Sequence, residues 1–227
     1  MNSKTLESKW QKKWEEAKVF ESEPKDGQEK YFVNCPYPYM NGYLHLGHAF
    51  TYLRADMVSR YQRMKNKNVL FPFAFHCTGT PIVAAAQRVK EGEKIQISAL
   101  KQMGLSDTLI KKFSDPEEWT KHFPDKAIED LKKFGSSIDW RRSFITTSLN
   151  PPYDRFIRWQ FNQLLKNDYL IKGSFPVVWC PKREAVVGDH DRLSGEGETP
   201  QEYTLLKFKG DDDYLVAATL RPETVFG

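Results

Sequence analysis

The sequence predicts an α/β protein that begins with a parallel sheet and ends in a β-rich segment. Two apolar runs, residues 31–35 and 68–75, indicate buried strands, and a helical pattern follows each of them. Strand, helix, strand and helix in this order are typical of a βαβ unit. From Lys172 onward the pattern changes to short strand candidates, which a polar loop with glycines divides. A domain boundary is therefore expected between Cys180 and Gln201, and we place it after residue 180.

The helices of the first part have recognisable starts and ends. The helix after the first strand is predicted from Leu44 to about Lys65, and the next begins at Pro81, where the missing N–H costs no helical hydrogen bond. The first of these helices carries five apolar residues along one side: Phe50, Leu53, Met57, Tyr61 and Met64. Further along, two helices are predicted, capped by Asp115 and again around Asp125, and Gly135 closes the second. A last amphipathic helix begins at Asn150.

Composition excludes some classes of protein and leaves others open. The chain has 227 residues, of which 40% are hydrophobic and 28% charged, and no apolar run reaches the roughly 18 residues of a membrane span. Its charged N-terminus lacks a small-residue cleavage site, and its three widely spaced cysteines form no CxxC pair. We therefore expect a cytoplasmic protein with no membrane partner. The net charge of +4 is compatible with a nucleic-acid partner but does not require one.

Two histidines mark the junction between the first strand and its helix. His45 and His48 are three residues apart, with Gly47 between them, at the point where the helix should begin. A helix start at the carboxyl end of a parallel strand is a natural anion site, because free N–H groups and the positive end of the helix dipole point outward. Two imidazole donors at that place could bind phosphate oxygens. Gly47 is expected to allow a ligand or another backbone to approach closely.

At these residues the sequence resembles a known family. HLGH is similar to the HIGH motif of the class I aminoacyl-tRNA synthetases, and related nucleotidyltransferases also carry HxGH. The flanking stretches PYPYMNGYLHLGHAF and FPFAFHCTGTPI resemble leucyl-tRNA synthetases of the archaeal and eukaryotic cytosolic type. IDWRRSFITT, PPYDRFIRWQFNQL and ATLRPETVFG resemble later parts of the same family. The resemblance covers the chain from about Thr5 to Gly227.

The resemblance implies a fold and a reaction. Residues 1–180 would be the N-terminal half of a Rossmann-type nucleotide-binding catalytic domain, and residues 181–227 the β-rich start of an editing insertion. Leucine would be activated with Mg-ATP to leucyl-adenylate and transferred to tRNA(Leu). ATP, L-leucine and tRNA(Leu) are thus the expected partners, with Mg²⁺ entering as part of the nucleotide substrate.

The resemblance also assigns residues to the synthetic site. His45 and His48 would be catalytic and, with Gly47, would hold ATP. Tyr37, Tyr39 and His76 would line the leucine and adenylate pocket. A histidine cannot supply the negative charge with which some relatives bind the substrate amine, so the residue that binds the amino group stays open. Cys77 is expected to be a packing residue, because the reaction needs no thiolate.

Two further predictions concern the last part of the chain. Thr219, Arg221 and Thr224 resemble the editing site, which removes misacylated amino acids that an apolar pocket rejects by only about 1–3 kcal/mol. Cys180 stands where many relatives begin a zinc knuckle. Since Arg183 stands where a second cysteine would be and only His190 is nearby, we predict no bound zinc.

One family element does not occur in the sequence. The lysine loop Lys-Met-Ser-Lys-Ser, which supplies the second set of phosphate contacts, is not found. We expect the chain to be an N-terminal fragment of a longer enzyme that is inactive alone; the alternative is one subunit of a naturally split enzyme. Two other functions stay open: a synthetase for isoleucine, valine or methionine, and a non-catalytic synthetase-like protein that binds tRNA or a protein partner.

Overall fold

Two units make up the chain, Met1–Ile171 and Lys172–Gly227. A computed structural model describes residues 2–181, 184–188, 197 and 201–226. The helices are α1 Ser3–Glu16, α2 Leu46–Met64, α3 Thr80–Lys90, α4 Lys94–Gln102, α5 Asp107–Lys112, α6 Pro116–Phe134 and α7 Pro151–Lys166. The strands are β1 Lys30–Phe32, β2 Asn68–Leu70, β3 Ala74–Phe75, β4 Phe144–Ile145, β5 Trp179–Cys180, β6 Ala185–Val186, β7 Thr204–Lys209 and β8 Tyr214–Thr219. None of the helices in these described ranges is long and apolar enough to cross a membrane.

The predicted βαβ unit is present in the first unit. Strands β1 and β2 pair in parallel, with Tyr31 opposite Val69, and α2 connects them. The prediction of a single strand over residues 68–75 is wrong in one respect, because this segment is divided into β2 and β3. Pro72 lies in the gap and has no N–H to continue a ladder. After this break β3 pairs in parallel with β4, where Ala74 lies opposite Phe144.

The core of the first unit is built around aromatic side chains. Phe71, Phe73 and Phe75, from the segment that contains the break, are at most 1% exposed. The rings of Phe73 and Phe75 are 5.4 Å apart between centroids, in the edge-to-face geometry that aromatic pairs favour. The segment is therefore buried as the sequence predicts, although it is not one continuous strand.

Helix α6 corrects the prediction of two helices between Asp115 and Gly135. It runs without interruption from its N-cap, Asp115, to Gly135, although Pro124 lies inside it. An internal proline costs a helix about 3 kcal/mol. Four side chains spaced by four residues offset that cost, since burying each large one contributes about 1.5–3 kcal/mol. They are Trp119, Phe123, Ala127 and Leu131, all at most 3% exposed.

Helix α2 turns an unexpected face toward the core. Its predicted apolar side is the exposed one, and Phe50, Met57 and Met64 are 64%, 61% and 86% exposed. The buried residues of α2 are Tyr52, Asp56 and Ser59. Burial of this polar side requires partners for its hydrogen-bonding groups.

The segment that follows α6 supplies those partners. The buried Asp56 carboxylate accepts the Ser137 N–H and a 2.7 Å hydrogen bond from Arg60 Nε. Arg63 donates to the hydroxyl of Ser137 at 2.7 Å and to its carbonyl at 2.9 Å. Arg60 also donates to the Gly135 carbonyl. This polar network fixes the rotation of α2 about its axis, and therefore which of its side chains face the core.

The described residues of the second unit form two antiparallel strand pairs. β5 pairs with β6, and β7 pairs with β8 from Thr204 opposite Thr219 to Lys209 opposite Tyr214. The change to β-rich structure is thus confirmed, and the boundary between the units falls between Ile171 and Lys172. The division of function after residue 180 stays a prediction.

Candidate active site

The two histidines form a reciprocal cap at the start of α2. His45 is the N-cap residue, and its Nδ1 accepts the Gly47 N–H at 3.1 Å. In return, the His45 N–H donates to Nδ1 of His48 at 3.2 Å. The imidazole centroids are 4.0 Å apart. The sequence predicted two imidazoles at the helix start, and the structure adds that each ring accepts a hydrogen bond from a backbone N–H there.

These caps decide which ring nitrogens remain available for a ligand. A neutral imidazole that accepts at Nδ1 carries its proton on Nε2, so both Nε2 atoms of the pair are donors. Gly47 N–H, one of the free helix groups expected to face an anion, is instead occupied by His45. The donors at this helix start are therefore the Nε2–H groups of His45 and His48, aided by the positive end of the dipole.

Burial and the neighbouring imidazole keep His48 neutral. The pKa of His48 lies below its ordinary value of 6.5, first because the ring is partly buried and second because His45 is close. Its ring stacks on buried Tyr52, with 6.0 Å between centroids. His45 is exposed. The pair therefore combines one exposed donor with one that the core holds in place.

Gly47 has a role in the cap, beside the predicted one toward a ligand. A Cβ added there would lie 3.0 Å from Cε1 and 3.1 Å from Nδ1 of His45. Real Cβ atoms rarely make contacts as short as these. The space above Gly47 is thus filled by the His45 ring, and a side chain at this position would push the ring out of its capping position.

Tyr39 and His76 meet where the chain leaves β3. Their rings stack at 4.1 Å between centroids, with an interplanar angle of 25°. The backbone joins them as well, since the His76 N–H donates to the Pro38 carbonyl at 2.8 Å and the Met40 N–H donates to the His76 carbonyl at 3.1 Å. Nε2 of His76 is 3.0 Å from the Thr78 hydroxyl. Two predicted pocket residues are thus brought together from separate parts of the chain.

Tyr37 lies deeper than Tyr39. Its ring makes edge contacts with Phe73 at 6.1 Å and Phe144 at 5.9 Å. Phe73 also contacts Tyr52 at 5.0 Å, and Tyr52 supports His48. A continuous set of aromatic contacts therefore connects Tyr37 with the histidine pair, and sequence reasoning did not single out Tyr52 as part of it.

The cysteines of the first unit lie in apolar surroundings. Cys77 is 6% exposed and belongs to the core, as predicted for a packing residue. Burial raises the pKa of the Cys77 thiol to about 12 and that of Cys35 to about 11. Neither is a thiolate near neutral pH, which is the form a nucleophile needs.

Tyr43 and His122 were also missed by sequence reasoning. The Tyr43 hydroxyl is 3.3 Å from Nε2 of His122, on α6. Tyr43 is two residues before His45, yet its partner is 79 residues away in the chain. Only the tertiary structure could identify this contact.

The three predicted editing residues share one tight turn in the second unit. Thr219 ends β8, and its hydroxyl accepts the Arg221 N–H at 3.0 Å. The hydroxyl of Thr224 donates to the Arg221 carbonyl at 2.7 Å, within the short 3₁₀ helix Pro222–Phe226. The threonines thus shape the backbone on both sides of Arg221.

The predicted absence of zinc concerns residues that are largely outside the described part of the chain. Cys180 is the last residue of β5 and is half-buried, whereas Arg183 and His190 are not among the described residues. Within the described residues, no group of three or more His, Cys, Asp or Glu side chains is arranged to hold a metal ion.

Curated relatives cover the chain almost completely. Leucine–tRNA ligases of Aeropyrum pernix and Methanococcoides burtonii are 51% and 47% identical to it over 99% and 100% of its length. The cytoplasmic leucine–tRNA ligase of Pongo abelii is 41% identical over 99% of the chain. The chain spans only 24%, 23% and 24% of the length of these three proteins.

A solved structure and a family model agree in fold. The structure of agnB2 LeuRS from Agrobacterium radiobacter K84, in a ternary complex with tRNA and LeuAMS, has a TM-score of 0.60. It is 23% identical and covers 80% of this chain, which is 20% of that protein. The model of the class I tRNA synthetases for I, L, M and V matches residues 9–202. The chain therefore belongs to the class I tRNA synthetase family of the isoleucine, leucine, methionine and valine enzymes.

Proposed function

We propose that the whole protein containing this chain is a leucine–tRNA ligase. An oxygen of the leucine carboxylate attacks the α-phosphate of Mg-ATP, the bond to the β-phosphate breaks, and pyrophosphate leaves. The acyl group then passes to a hydroxyl of the terminal adenosine of tRNA(Leu), and AMP leaves. Such a reaction depends mainly on positioning and on stabilising phosphoryl charge.

The single observation that carries the proposal is the histidine pair at the start of α2. Both Nδ1 atoms are engaged with backbone N–H groups, which leaves two Nε2–H donors at a positive helix end. Donors fixed before the reaction stabilise developing charge without reorganising during it. In this proposal His45 and His48 bind the ATP phosphates, and Gly47 allows the His45 ring to occupy its capping position.

The leucine and adenylate site is proposed to lie around Tyr39 and His76. Their stacked rings provide an apolar wall, and polar atoms at its edge can orient a substrate. The pKa of His76 is lowered by partial burial, which favours a neutral ring near neutral pH. A neutral ring adds no positive charge that would repel the leucine ammonium group. Tyr37, the third residue proposed for this site, packs on the core through the edge of Phe73.

An editing role is proposed for Thr219, Arg221 and Thr224. The turn that they form presents the Arg221 side chain at the surface, where it is exposed. An exposed guanidinium suits contact with a phosphate of the tRNA end. The two hydroxyls are already used in backbone hydrogen bonds, so their proposed share in editing is to hold this turn.

The finer architecture is proposed from the same family. Residues 1–180 provide the N-terminal half of a Rossmann-type nucleotide-binding domain, and residues 181–227 begin an editing insertion. Parallel pairs with a crossover helix in the first unit, and antiparallel pairs in the second, support this division. We propose a cytoplasmic location, as in the name of the Pongo abelii relative.

Leucine is favoured over the other amino acids of the family. The family model includes isoleucine, methionine and valine enzymes, whereas the relatives cited above are leucine–tRNA ligases at 41–51% identity. A non-catalytic paralogue would keep the fold but would not need two imidazole N–H donors at the helix start.

The test is amino-acid-dependent exchange of pyrophosphate into ATP by the full-length protein. We expect exchange with leucine, and much less with isoleucine, valine or methionine. Removing one charge-stabilising donor lowers kcat by about 10²–10³-fold. The kcat of His45→Ala should therefore be at least about 100-fold lower than that of the unchanged protein. Lys121→Ala, an exposed change on α6, is the matched control. Exchange that depends on another amino acid, or equal activity of His45→Ala and the unchanged protein, would contradict the proposal.

The 227-residue chain by itself is proposed to be inactive in this exchange. Its sequence contains no Lys-Met-Ser-Lys-Ser loop, so the charge opposite the histidine pair must come from another segment or chain. Leucine-dependent exchange by the purified chain would disprove this.

A further inference from the structure

After Tyr37, the loop that leads to α2 is held at two separate places. At the first, residues 38 and 40 form backbone hydrogen bonds with His76. At the second, Gly42 and Tyr43 lie on side chains from α6 and the residue after α4. We call Met103, His122 and Phe123 the loop seat. None of these three residues was assigned a role by the sequence.

The contacts with the loop seat involve both packing and a hydrogen bond. The Tyr43 ring meets the Phe123 ring edge to face at 5.3 Å, and its hydroxyl is 3.3 Å from His122 Nε2. A Cβ added at Gly42 would lie 3.2 Å from Cε of Met103, so this methionine covers the loop closely. Tyr43 and His122 are both half-buried.

The loop seat is anchored in the rigid part of the core. Phe123 is 1% exposed, and its ring lies 5.4 Å from each of the rings of Phe113 and Trp119. The indole N–H of Trp119 donates to the Phe113 carbonyl at 2.7 Å. Close packing of this kind leaves little room for Phe123 to move. Tyr43 therefore rests on a fixed surface.

Fixing Tyr43 restricts the histidine pair. Two residues of extended chain span at most about 7 Å, so the backbone of His45 cannot move far from that of Tyr43. His45 is extended, with φ −129° and ψ 176°, and its N–H must point at Nδ1 of His48. A shift of the preceding residues would break this reciprocal cap and turn the Nε2–H donors away.

We infer that Tyr43 is a positioning residue for the histidine pair, held in place by His122 and Phe123 of α6. It touches no substrate in this assignment and acts through the backbone that leads to His45. The inference rests on the proposed function where it concerns catalysis, but the restraint on the loop can be measured without any activity.

The kinetic test uses the full-length protein with Tyr43→Phe, Tyr43→Ala, His122→Ala and the double variant Tyr43→Phe/His122→Ala. Since a misplacement of 1 Å can cost about 100-fold, Tyr43→Ala should lower kcat for leucine-dependent exchange by about 10- to 100-fold per titrated active site. Tyr43→Phe keeps the ring, and its kcat should fall by less than about 10-fold, as expected for the loss of one hydrogen bond. The KM for leucine should change little, because the histidine pair acts on phosphate. The double variant should be no worse than His122→Ala, because both single changes remove the same bond.

The second measurement is amide hydrogen exchange over residues 40–48 of the same proteins. Tyr43→Ala and His122→Ala should speed exchange in this segment, whereas Lys121→Ala, next to His122 but exposed, should not. Unchanged amide hydrogen exchange over residues 40–48 in Tyr43→Ala would overturn the inference. An unchanged kcat per active site in this variant would overturn it as well. If the protein without substitutions shows no leucine-dependent pyrophosphate exchange, the proposed function fails. Amide hydrogen exchange still decides in that case whether Tyr43 restrains the loop.

Discussion

Substitution of Gly47 by alanine is the sharpest test of the cap geometry. The new Cβ would lie 3.0 and 3.1 Å from two atoms of the His45 ring, where ordinary van der Waals contact begins at 3.4 Å. The imidazole must therefore move by a few tenths of an ångström. Its hydrogen bond from the Gly47 N–H, already 3.1 Å long, should weaken or break.

Two free energies compete in this variant. Losing an N-cap hydrogen bond costs about 0.5–2 kcal/mol, whereas replacing a helical glycine by alanine contributes about 0.5–1 kcal/mol. We therefore expect the melting temperature to change little. Catalysis has no such compensation, because a displaced His45 ring no longer directs its Nε2–H correctly, and kcat should fall by about 10-fold or more.

The assay is leucine-dependent pyrophosphate exchange by the full-length protein, with thermal unfolding measured in parallel. Gly173→Ala is the matched control, since an added Cβ there has nothing within 4 Å. We expect full activity from the control and a selective loss of kcat in Gly47→Ala. If Gly47→Ala keeps kcat within about 2-fold, below the loss that such a misplacement should cause, then the His45 cap is not needed for catalysis and the reasoning is wrong.

Three further predictions concern protonation, the buried network and the thiols. His48 has a lowered pKa, so its contribution to the free energy of unfolding should be complete above its ordinary pKa of 6.5 and should be lost as the pH falls through the lower value. A pH series of urea unfolding curves, compared with His48→Gln, checks this, and identical pH dependence of the two would contradict it. Asp56→Ala should lower the free energy of unfolding by about 1–3 kcal/mol, because it leaves the buried Ser137 N–H without an acceptor. In Asp56→Asn the side-chain amide oxygen can still accept the Ser137 N–H, so the free energy of unfolding should fall by less than in Asp56→Ala. Equal urea midpoints for the two variants would refute this account. With iodoacetamide at pH 8, Cys35 and Cys77 should react at least about 100-fold more slowly than a free thiol, because their raised pKa values leave little thiolate. Mass spectrometry of the labelled peptides measures this, and rapid labelling of either would show that the thiol is not buried as described.

Local signals predicted the ends of several elements well. α3 begins at Thr80 with Pro81 in its first turn, Gly135 closes α6 with φ +82°, and the Asn150 side chain caps α7. The start of α2 at the histidines was also predictable, because residues near the terminus determine a cap. These successes depend on interactions between residues a few positions apart.

Long-range contacts explain where prediction failed. α6 continues through Pro124 because buried side chains on both sides outweigh a local break signal. The apolar side of α2 is exposed because Asp56 and Arg63 find partners at Ser137, more than 70 residues away in the chain. Periodicity identifies the apolar and polar sides of a helix. It does not tell which side is buried when the polar side can also find hydrogen-bonding partners.

The sequence by itself determined which residues stand at the candidate site: a strand-to-helix junction with two histidines and a glycine, in a βαβ order. Residue types, spacing and capping rules are sufficient for that, because they act over a few residues. Only the tertiary structure decided how the junction is held, with His45 filling the space above Gly47 and Tyr43 resting on α6. These contacts depend on distances between side chains that the sequence separates widely, and close packing fixes such distances only after the chain has folded.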